Sequence, residues 1–488
     1  MIGKGVARWL DSPWIILVGM LLGGLLAYGQ TAFYPFVHDD VVFIRDNPRL
    51  ADISLLKALK LTVDFQLRTK EGVNTYYRPL LEWLYGWQFR LFGLNPAGYH
   101  LFNIVLHSVN GFLVFLVTRR LSGPTGVSRW WPLGVALFYL WHPVQSEAVA
   151  CIAGISNLFF AFWGWLGFYS YIRSWKGVSW IACALALLSK EQAVVLPVLF
   201  AWYDLFWRRD GVRGTLGRWL PFAFLLAGYF LLRTCVIRGG DAVPALGNPY
   251  ELWLRVLAIP RTLLMYGRLI VFPYDLHYYR STDILRPFWP GMVGLAVLVG
   301  GLVWWARRAS RKKAAWLIFG LGWFILALGP LLNILPLINE YSLILTAEHF
   351  LYLPLWGFLT AASALLAGKV RREIWIAALG ICLVLTTRQV TYWRGEVPLF
   401  ERVVRYEPSF GRAHILLGKA YMKEGRYARA LAAQQKAAAI MRGYIAKVAD
   451  GPVKEFYRGY LRDIEADQEW IRRRVAGERM EKRRKERR

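Results

Sequence analysis

Two adjacent carboxylates, Asp39 and Asp40, follow the first apolar run of the chain directly, with His38 before them. One member of such a pair can raise the other's pKa, and the two together can orient a hydroxyl nucleophile, so the pair suits a general base. The same two residues would equally serve as a helix cap or a solvated acidic turn. Further ionisable groups stand at the edges of later apolar runs: Tyr76-Tyr77-Arg78-Pro79, His142 with Glu147, Lys190-Glu191, and Glu348-His349. An ionisable group costs roughly 2.5–3.5 kcal/mol at the centre of a membrane helix, so chains keep few of them near spans without use. Arg78 and Lys190 are suited to an anionic phosphate through charge-assisted hydrogen bonds, although Lys190 alone could snorkel to the headgroups. His100, Asn103, His107 and Asn110 recur at helical intervals and form one polar stripe. Hydrogen bonding between helices is the preferred reading of that stripe over direct substrate contact.

These residues need elements to hold them, and composition says which. The chain has 488 residues, 56% apolar and only 19% charged, and its apolar residues cluster in runs of about 20, the length of a bilayer-spanning helix. The expectation is an all-α polytopic membrane protein with about eleven spans, near 13–34, 99–119, 131–143, 157–173, 177–189, 192–207, 218–238, 288–306, 314–335, 350–368 and 373–392. The run from Pro13 to Tyr34 is too long for a signal-peptide core and should stay as the first span. A formal charge of +28 does not point to nucleic acid, because Lys and Arg lie mostly in short connections between apolar runs and in the C-terminal tail. Basic connections belong in the cytoplasm together with Lys4 and Arg8. The segments 35–98, 142–156, 190–191, 239–287 and 336–349 then face the other side, with everything after Trp393. Leu252–Pro273 is apolar but interrupted by Arg255, Arg261 and Arg268, which fits an interfacial helix. Four cysteines, Cys151, Cys183, Cys235 and Cys382, show neither metal-ligand nor disulfide-framework spacing.

Domain organisation follows: a membrane domain over 1–393, with 35–98 as its first extracytoplasmic loop, a tetratricopeptide-like helical domain over 394–475, and a basic, disordered tail over 476–488. Leu417-Gly418, Tyr421, Gly425, Tyr427, Ala430 and Ala437 fall at tetratricopeptide spacings. One and a half repeats cannot bury a core alone, so this part should lean on the membrane domain or on further helices.

Together the motifs resemble the transmembrane-and-TPR O-mannosyltransferases and their bacterial relatives, in the GT-C superfamily. The resemblance rests on Asp39-Asp40 with Asn47-Pro48, Tyr77-Arg78-Pro79-Leu80, Gly93-Leu94-Asn95-Pro96 and Gly98-Tyr99-His100-Leu101 with Asn103. His142-Pro143 with Glu147-Ala148-Val149, Ser189-Lys190-Glu191-Gln192, and Glu348 with Leu351-Tyr352-Leu353-Pro354 continue it. Family members usually carry an Arg where this chain has His349, and an Arg with an acidic residue where it has Ile155 and Asn157, so the resemblance implies no particular sugar.

What the resemblance implies is an inverting transfer from a polyprenyl-phosphate-linked sugar to an acceptor hydroxyl on the non-cytoplasmic face, with Asp39 or Asp40 as base. Arg78, Lys190 and His349 would hold the donor phosphate. His38, Tyr77, His100, His142, Glu147, Glu191 and Glu348 would bind substrate or support the site. No cofactor is required, and a divalent ion on His38, Asp39 and Asp40 is the alternative within the enzyme class. Expected partners are the lipid-phosphate donor, the bilayer and a protein acceptor, with a lipid or glycan acceptor as the alternative, and no nucleic acid. The expected location is a bacterial inner membrane, with the N-terminus cytoplasmic and the site and repeat domain outside. A transporter would show internal repeats, which the sequence lacks, and a bare anchor would have no use for so many ionisable groups on one side.

Overall fold

Ser12 and Pro13 open the first helix, where Pro is tolerated because its missing N–H has no partner in the first turn. The computed structural model describes residues 12–60, 63–64, 75–122, 130–208, 211–236, 249–278, 280–281, 288–332, 344–366, 369–447 and 452–486. Lys4 and Arg8 lie outside the described residues, as do the side chains of Lys482–Lys485.

The described helices are α1 (Pro13–Tyr28), α2 (Leu55–Lys60), α3 (Pro79–Phe92), α4 (Pro96–Ser122), α5 (Trp131–Trp141), α6 (Ser146–Ala150), α7 (Ile155–Ile172), α8 (Lys176–Ser189), α9 (Leu196–Tyr203) and α10 (Gly211–Val236). They continue as α11 (Pro249–Val271), α12 (Trp289–Arg308), α13 (Arg311–Leu328), α14 (Pro354–Leu366), α15 (Arg372–Val390), α16 (Glu396–Tyr406), α17 (Gly411–Lys423), α18 (Tyr427–Lys447) and α19 (Pro452–Glu486). Four strands of two or three residues pair antiparallel in two ribbons, Val63 opposite Tyr76 and Arg280 opposite Thr346. The chain is therefore all-α with minor ribbons in its loops.

Among the described residues, six helices are long and apolar enough to cross a membrane. A seventh arises if the segments Pro143–Ala150 and Ile155–Ile172, bent by 109° at their break, count as one span. The shorter apolar helices Trp131–Trp141, Lys176–Ser189 and Pro354–Leu366 account for three more of the segments read as spans.

The long helix α4 runs through the middle, packed against α1, α5 and α7. Its polar stripe bonds to neighbouring helices, as expected of such a stripe. Asn103 Nδ2 donates to the carbonyls of Val149, Cys151 and Ile152 at 3.3, 3.1 and 3.3 Å. His107 Nδ1 is 2.7 Å from Tyr352 Oη, and Asn110 Nδ2 donates to the same oxygen at 3.0 Å. Between α7, α13 and α14 the core is aromatic: Trp165 stacks on Trp323 at 5.7 Å, and Trp356 meets Trp323 edge-on at 4.7 Å.

The last helices form a second layer. α17 and α18 make a hairpin with Gly425 at φ 71°, and α19 packs on α18. Leu417, Ala430 and Ala437 are buried there. The segment 476–488, expected to be disordered, instead continues α19 as helix to Glu486. Its Lys, Arg and Glu residues are good helix formers.

α13 and α14 cross at Gly320 and Gly357, where a Cβ on Gly357 would stand 2.7 Å from both the Gly320 carbonyl oxygen and the Phe324 amide nitrogen. Gly357→Ala should therefore lower the thermal unfolding midpoint of detergent-purified protein, at a cost of about 1–3 kcal/mol typical of overpacking. Gly19, with open space around its Cβ direction, is the control that should tolerate Ala. An unchanged midpoint for Gly357→Ala would show that the helices do not cross there.

Candidate active site

Asp39 and Asp40 face different environments although they are adjacent. Asp40 is 1% exposed. Its Oδ2 accepts the Val37 amide at 3.1 Å, and its Oδ1 accepts the Ala153 amide at 2.7 Å with the Cys151 thiol at 3.4 Å. Burial pushes its carboxyl up to about 7, against the pull of those two amides. Asp39 is 25% exposed; its Oδ2 accepts the Tyr278 hydroxyl at 2.8 Å, and His38 Nε2 lies 3.3 Å from its Oδ1. His38 takes φ 53°, the left-handed region, where the backbone turns so that consecutive side chains diverge.

The turn that receives Asp40 lies at the break between α6 and α7. Gly154 belongs there, because a Cβ would stand 2.5 Å from the Ala148 carbonyl oxygen and 2.9 Å from that of Cys151. Immediately downstream, Asn157 Oδ1 accepts a bond from Lys190 Nζ at 2.5 Å. Lys190 is buried and also lies over the rings of Phe160 and Phe350, 6.0 and 5.9 Å from their centroids. Burial, reinforced by the charge of Arg78, pulls its ammonium down to about 7.

Arg78 forms a two-pronged ion pair with Glu191, Nε to Oε2 at 2.8 Å and Nη2 to Oε1 at 2.5 Å. Burial would raise the Glu191 carboxyl, but Arg78, through charge and hydrogen bonds, more than reverses this and holds it at about 2. Next to Phe350, His349 Nδ1 lies 2.7 Å from Glu147 Oε1, and its amide donates to Oε2 at 3.0 Å. Glu348 Oε1 accepts the His277 amide at 2.5 Å and Arg280 Nη2 at 3.2 Å, while burial pushes its carboxyl up. Arg280 lies two residues beyond Tyr278, the partner of Asp39.

Contacts and chain neighbours thus join the expected residues His38, Asp39, Asp40, Arg78, Glu147, Lys190, Glu191, Glu348 and His349 into one polar assembly. Three expected substrate-binding residues are spent elsewhere. Tyr77 is fully buried and donates its hydroxyl to the Leu59 carbonyl at 3.0 Å. His142 lies 3.0 Å from the Ile270 carbonyl through Nε2 and accepts the Val144 amide at 3.3 Å, capping a short turn. His100 is buried against the ring of Tyr34. The contacts of Tyr77 and His142 are internal ones with backbone partners, whereas neither buried ring nitrogen of His100 meets hydrogen-bond geometry with a partner among the described residues.

Sequence reasoning missed Asp275, Tyr278 and Arg280. Arg280 Nη1 is 3.3 Å from Asp275 Oδ2, and Asp275 also takes both prongs of Arg268 at 3.1 and 2.8 Å. The available signal was density: Asp275, His277, Tyr278 and Arg280 crowd six positions of the loop after α11. Asn157, read only as a departure from a family pattern, proves to be the acceptor for Lys190. Among the described residues no group of three His, Cys, Asp or Glu side chains is placed to share a metal ion. The His38, Asp39 and Asp40 set does not converge, since both Asp40 oxygens turn inward to backbone amides.

Fold and site define a polytopic helical membrane protein with a buried, paired array of acids and bases at one end of its helices. No family model matches the chain. Curated relatives do: it is 32% identical over 197 residues to Protein O-mannosyl-transferase tmtc2 of Xenopus laevis, covering 38% of this chain and 23% of that protein. It is 29% identical over 269 residues to Protein O-mannosyl-transferase TMTC3 of Mus musculus, covering 52% and 27%. Against Protein O-mannosyl-transferase TMTC4 of Homo sapiens the identity is 25% over 436 residues, 73% of this chain and 56% of that one. The chain thus spans only about a quarter of the length of the first two relatives. These are the proteins whose motifs the sequence resembles. A solved Archaeoglobus fulgidus oligosaccharyltransferase aligns over 78% of this chain and 56% of that one, at TM-score 0.40 and 14% identity, too loosely to carry an argument.

The Arg78–Glu191 pair has a pH signature. A carboxyl held at about 2 in the folded chain, against roughly 4.3 when unfolded, adds stability above the unfolded value and loses it as pH falls. The gap in thermal midpoint between wild type and Glu191→Gln should therefore be full at neutral pH and shrink as pH falls from about 4.3 towards 2. A gap that stays constant over that window would contradict the pairing.

Proposed function

We propose that the chain is a membrane glycosyltransferase of the GT-C type that moves a sugar from a polyprenyl-phosphate carrier to an acceptor hydroxyl at the non-cytoplasmic face. The observation that carries this reading is the asymmetry of the acidic pair. Asp40 spends both carboxylate oxygens on the fold, whereas Asp39 keeps a solvent-facing edge and two orienting neighbours, Tyr278 and His38. Asp39 is accordingly the base and Asp40 the residue that fixes it. Protein O-glycosylation is favoured by the three relatives described above, each a protein O-mannosyl-transferase by name.

In the proposed step Asp39 removes the proton of the acceptor hydroxyl as its oxygen attacks the anomeric carbon from the face opposite the phosphate. The carbon–oxygen bond to the carrier breaks, and the bonding electrons leave with the lipid phosphate. A phosphate leaving group needs no protonating acid. It does need positive charge, and Lys190, Arg78 and His349 are the groups assembled to supply it. Each already has a protein partner, Asn157, Glu191 and Glu147 respectively. Such second partners hold a cation in place before substrate arrives, so little reorganisation is needed during the reaction. Lys190 is the group whose charge an arriving phosphate would most strengthen, because burial and the neighbouring charge of Arg78 hold it near neutrality.

The two aspartates separate in a transfer assay with a polyprenyl-phosphate sugar in detergent. Asp39→Asn should lower kcat by roughly 10²–10⁴-fold, the usual contribution of a positioned base, with an unchanged unfolding midpoint. Asp40→Asn should lower the midpoint, since its amide would face the Val37 and Ala153 N–H donors. Full turnover by a folded Asp39→Asn variant would sink the assignment.

A further inference from the structure

The loop carrying Tyr278 is held from the side of the C-terminal helices. Arg402, on α16, is buried and donates through Nε to the Leu276 carbonyl at 2.5 Å and through Nη2 to the Tyr274 carbonyl at 3.1 Å. Gln389, at the end of α15, donates to the same Leu276 oxygen at 3.1 Å. The guanidinium also lies over the rings of Tyr392 and Tyr406, 4.0 and 5.2 Å from their centroids, which holds it in place.

Other groups from the same stretch brace the residues around Asp39. Tyr406 stacks on His277 at 5.4 Å with 13° between the planes, and Glu407 Oε1 lies 3.7 Å from His277 Nε2. Trp393 meets Tyr278 edge-on at 5.5 Å, and Phe400 meets His38 edge-on at 5.3 Å. Both side chains that touch Asp39, Tyr278 and His38, therefore rest on residues 393–400. Leu276 is buried, and a buried carbonyl must find a donor; among the described residues Arg402 and Gln389 supply it.

We propose that α16 is a built-in wall of the active site, and that Arg402 is a positioning residue that sets Asp39 through Leu276 and Tyr278. This rests on the functional reading above and assigns the C-terminal segment a task in the chemistry itself, apart from any presentation of acceptor by α17–α19.

The test uses the full-length chain with Arg402→Ala, Arg402→Lys and Tyr278→Phe, alone and combined. Arg402→Ala should lower kcat about 10–100-fold with donor KM unchanged, the scale expected when a reacting group shifts by about an ångström. Arg402→Lys, which keeps one donor for Leu276, should recover part of the loss. In the Tyr278→Phe background, Arg402→Ala should cost less than about 2-fold more, because both act through one contact. Wild-type kcat in folded Arg402→Ala, a rise in KM alone, or losses that multiply would each overturn the proposal. A second arm needs no substrate: hydrogen–deuterium exchange across 274–278 should speed up in Arg402→Ala and stay near wild type in Arg402→Lys. Unchanged exchange in Arg402→Ala overturns the clamp even if transfer is observed. A wild-type chain that turns over no polyprenyl-phosphate sugar instead overturns the proposed function, whatever the exchange arm gives.

Discussion

Asp40 accepts hydrogen bonds from Val37 and Ala153 with almost no solvent contact, and the polar assembly at this end of the helices is built on that carboxylate. A carboxylate taken out of water without partners would cost several kcal/mol, so once it is buried the two backbone donors are obligatory. Meeting that demand ties the loop after α1 to the turn between α6 and α7. It also fixes the chain direction at His38, and so the direction in which Asp39 points.

The remaining charges obey the same constraint. Arg78 with Glu191, Lys190 with Asn157, His349 with Glu147, and Arg280 with Glu348 each bring together segments far apart in sequence. In water such pairs would add little to stability, but where burial weakens screening they become specific joints between loops. The sequence of joints converts separate helix ends into one surface. A reaction that separates charge on that surface finds the compensating groups already oriented, which is the physical meaning of preorganisation.

Much of this was legible in residue order, and the illegible part has a definite cause. Apolar runs announced the long helices, because hydrocarbon thickness dictates their length. Of the eleven expected spans, however, only six or seven are long and apolar enough among the described residues, and the α-helix in the run 192–207 is only the eight-residue α9. The spacing of His100, Asn103, His107 and Asn110 announced a protein-facing stripe, three members of which bond to other helices. Ionisable groups at span edges announced most of the residues that the fold brings into one polar assembly. What residue order could not reveal was which of two adjacent aspartates turns inward, since that depends on a left-handed backbone at His38 and on a partner 113 positions away. Tyr278 was invisible for a similar reason, lying 239 positions from Asp39. His142 and Tyr77 looked like site residues by motif and became packing residues because carbonyls of other segments, those of Ile270 and Leu59, lie within their reach. Local chemistry was readable, whereas the choice among distant partners was made by packing.

The central claim is that these joined charges form a receptor for a lipid phosphate. Native mass spectrometry of the detergent-purified chain incubated with polyprenyl phosphate tests it most directly, with Lys190→Met as the comparison. The account predicts a retained lipid adduct on the wild-type chain that is lost or strongly weakened in Lys190→Met. An absent adduct, or one held equally by both proteins, would contradict it.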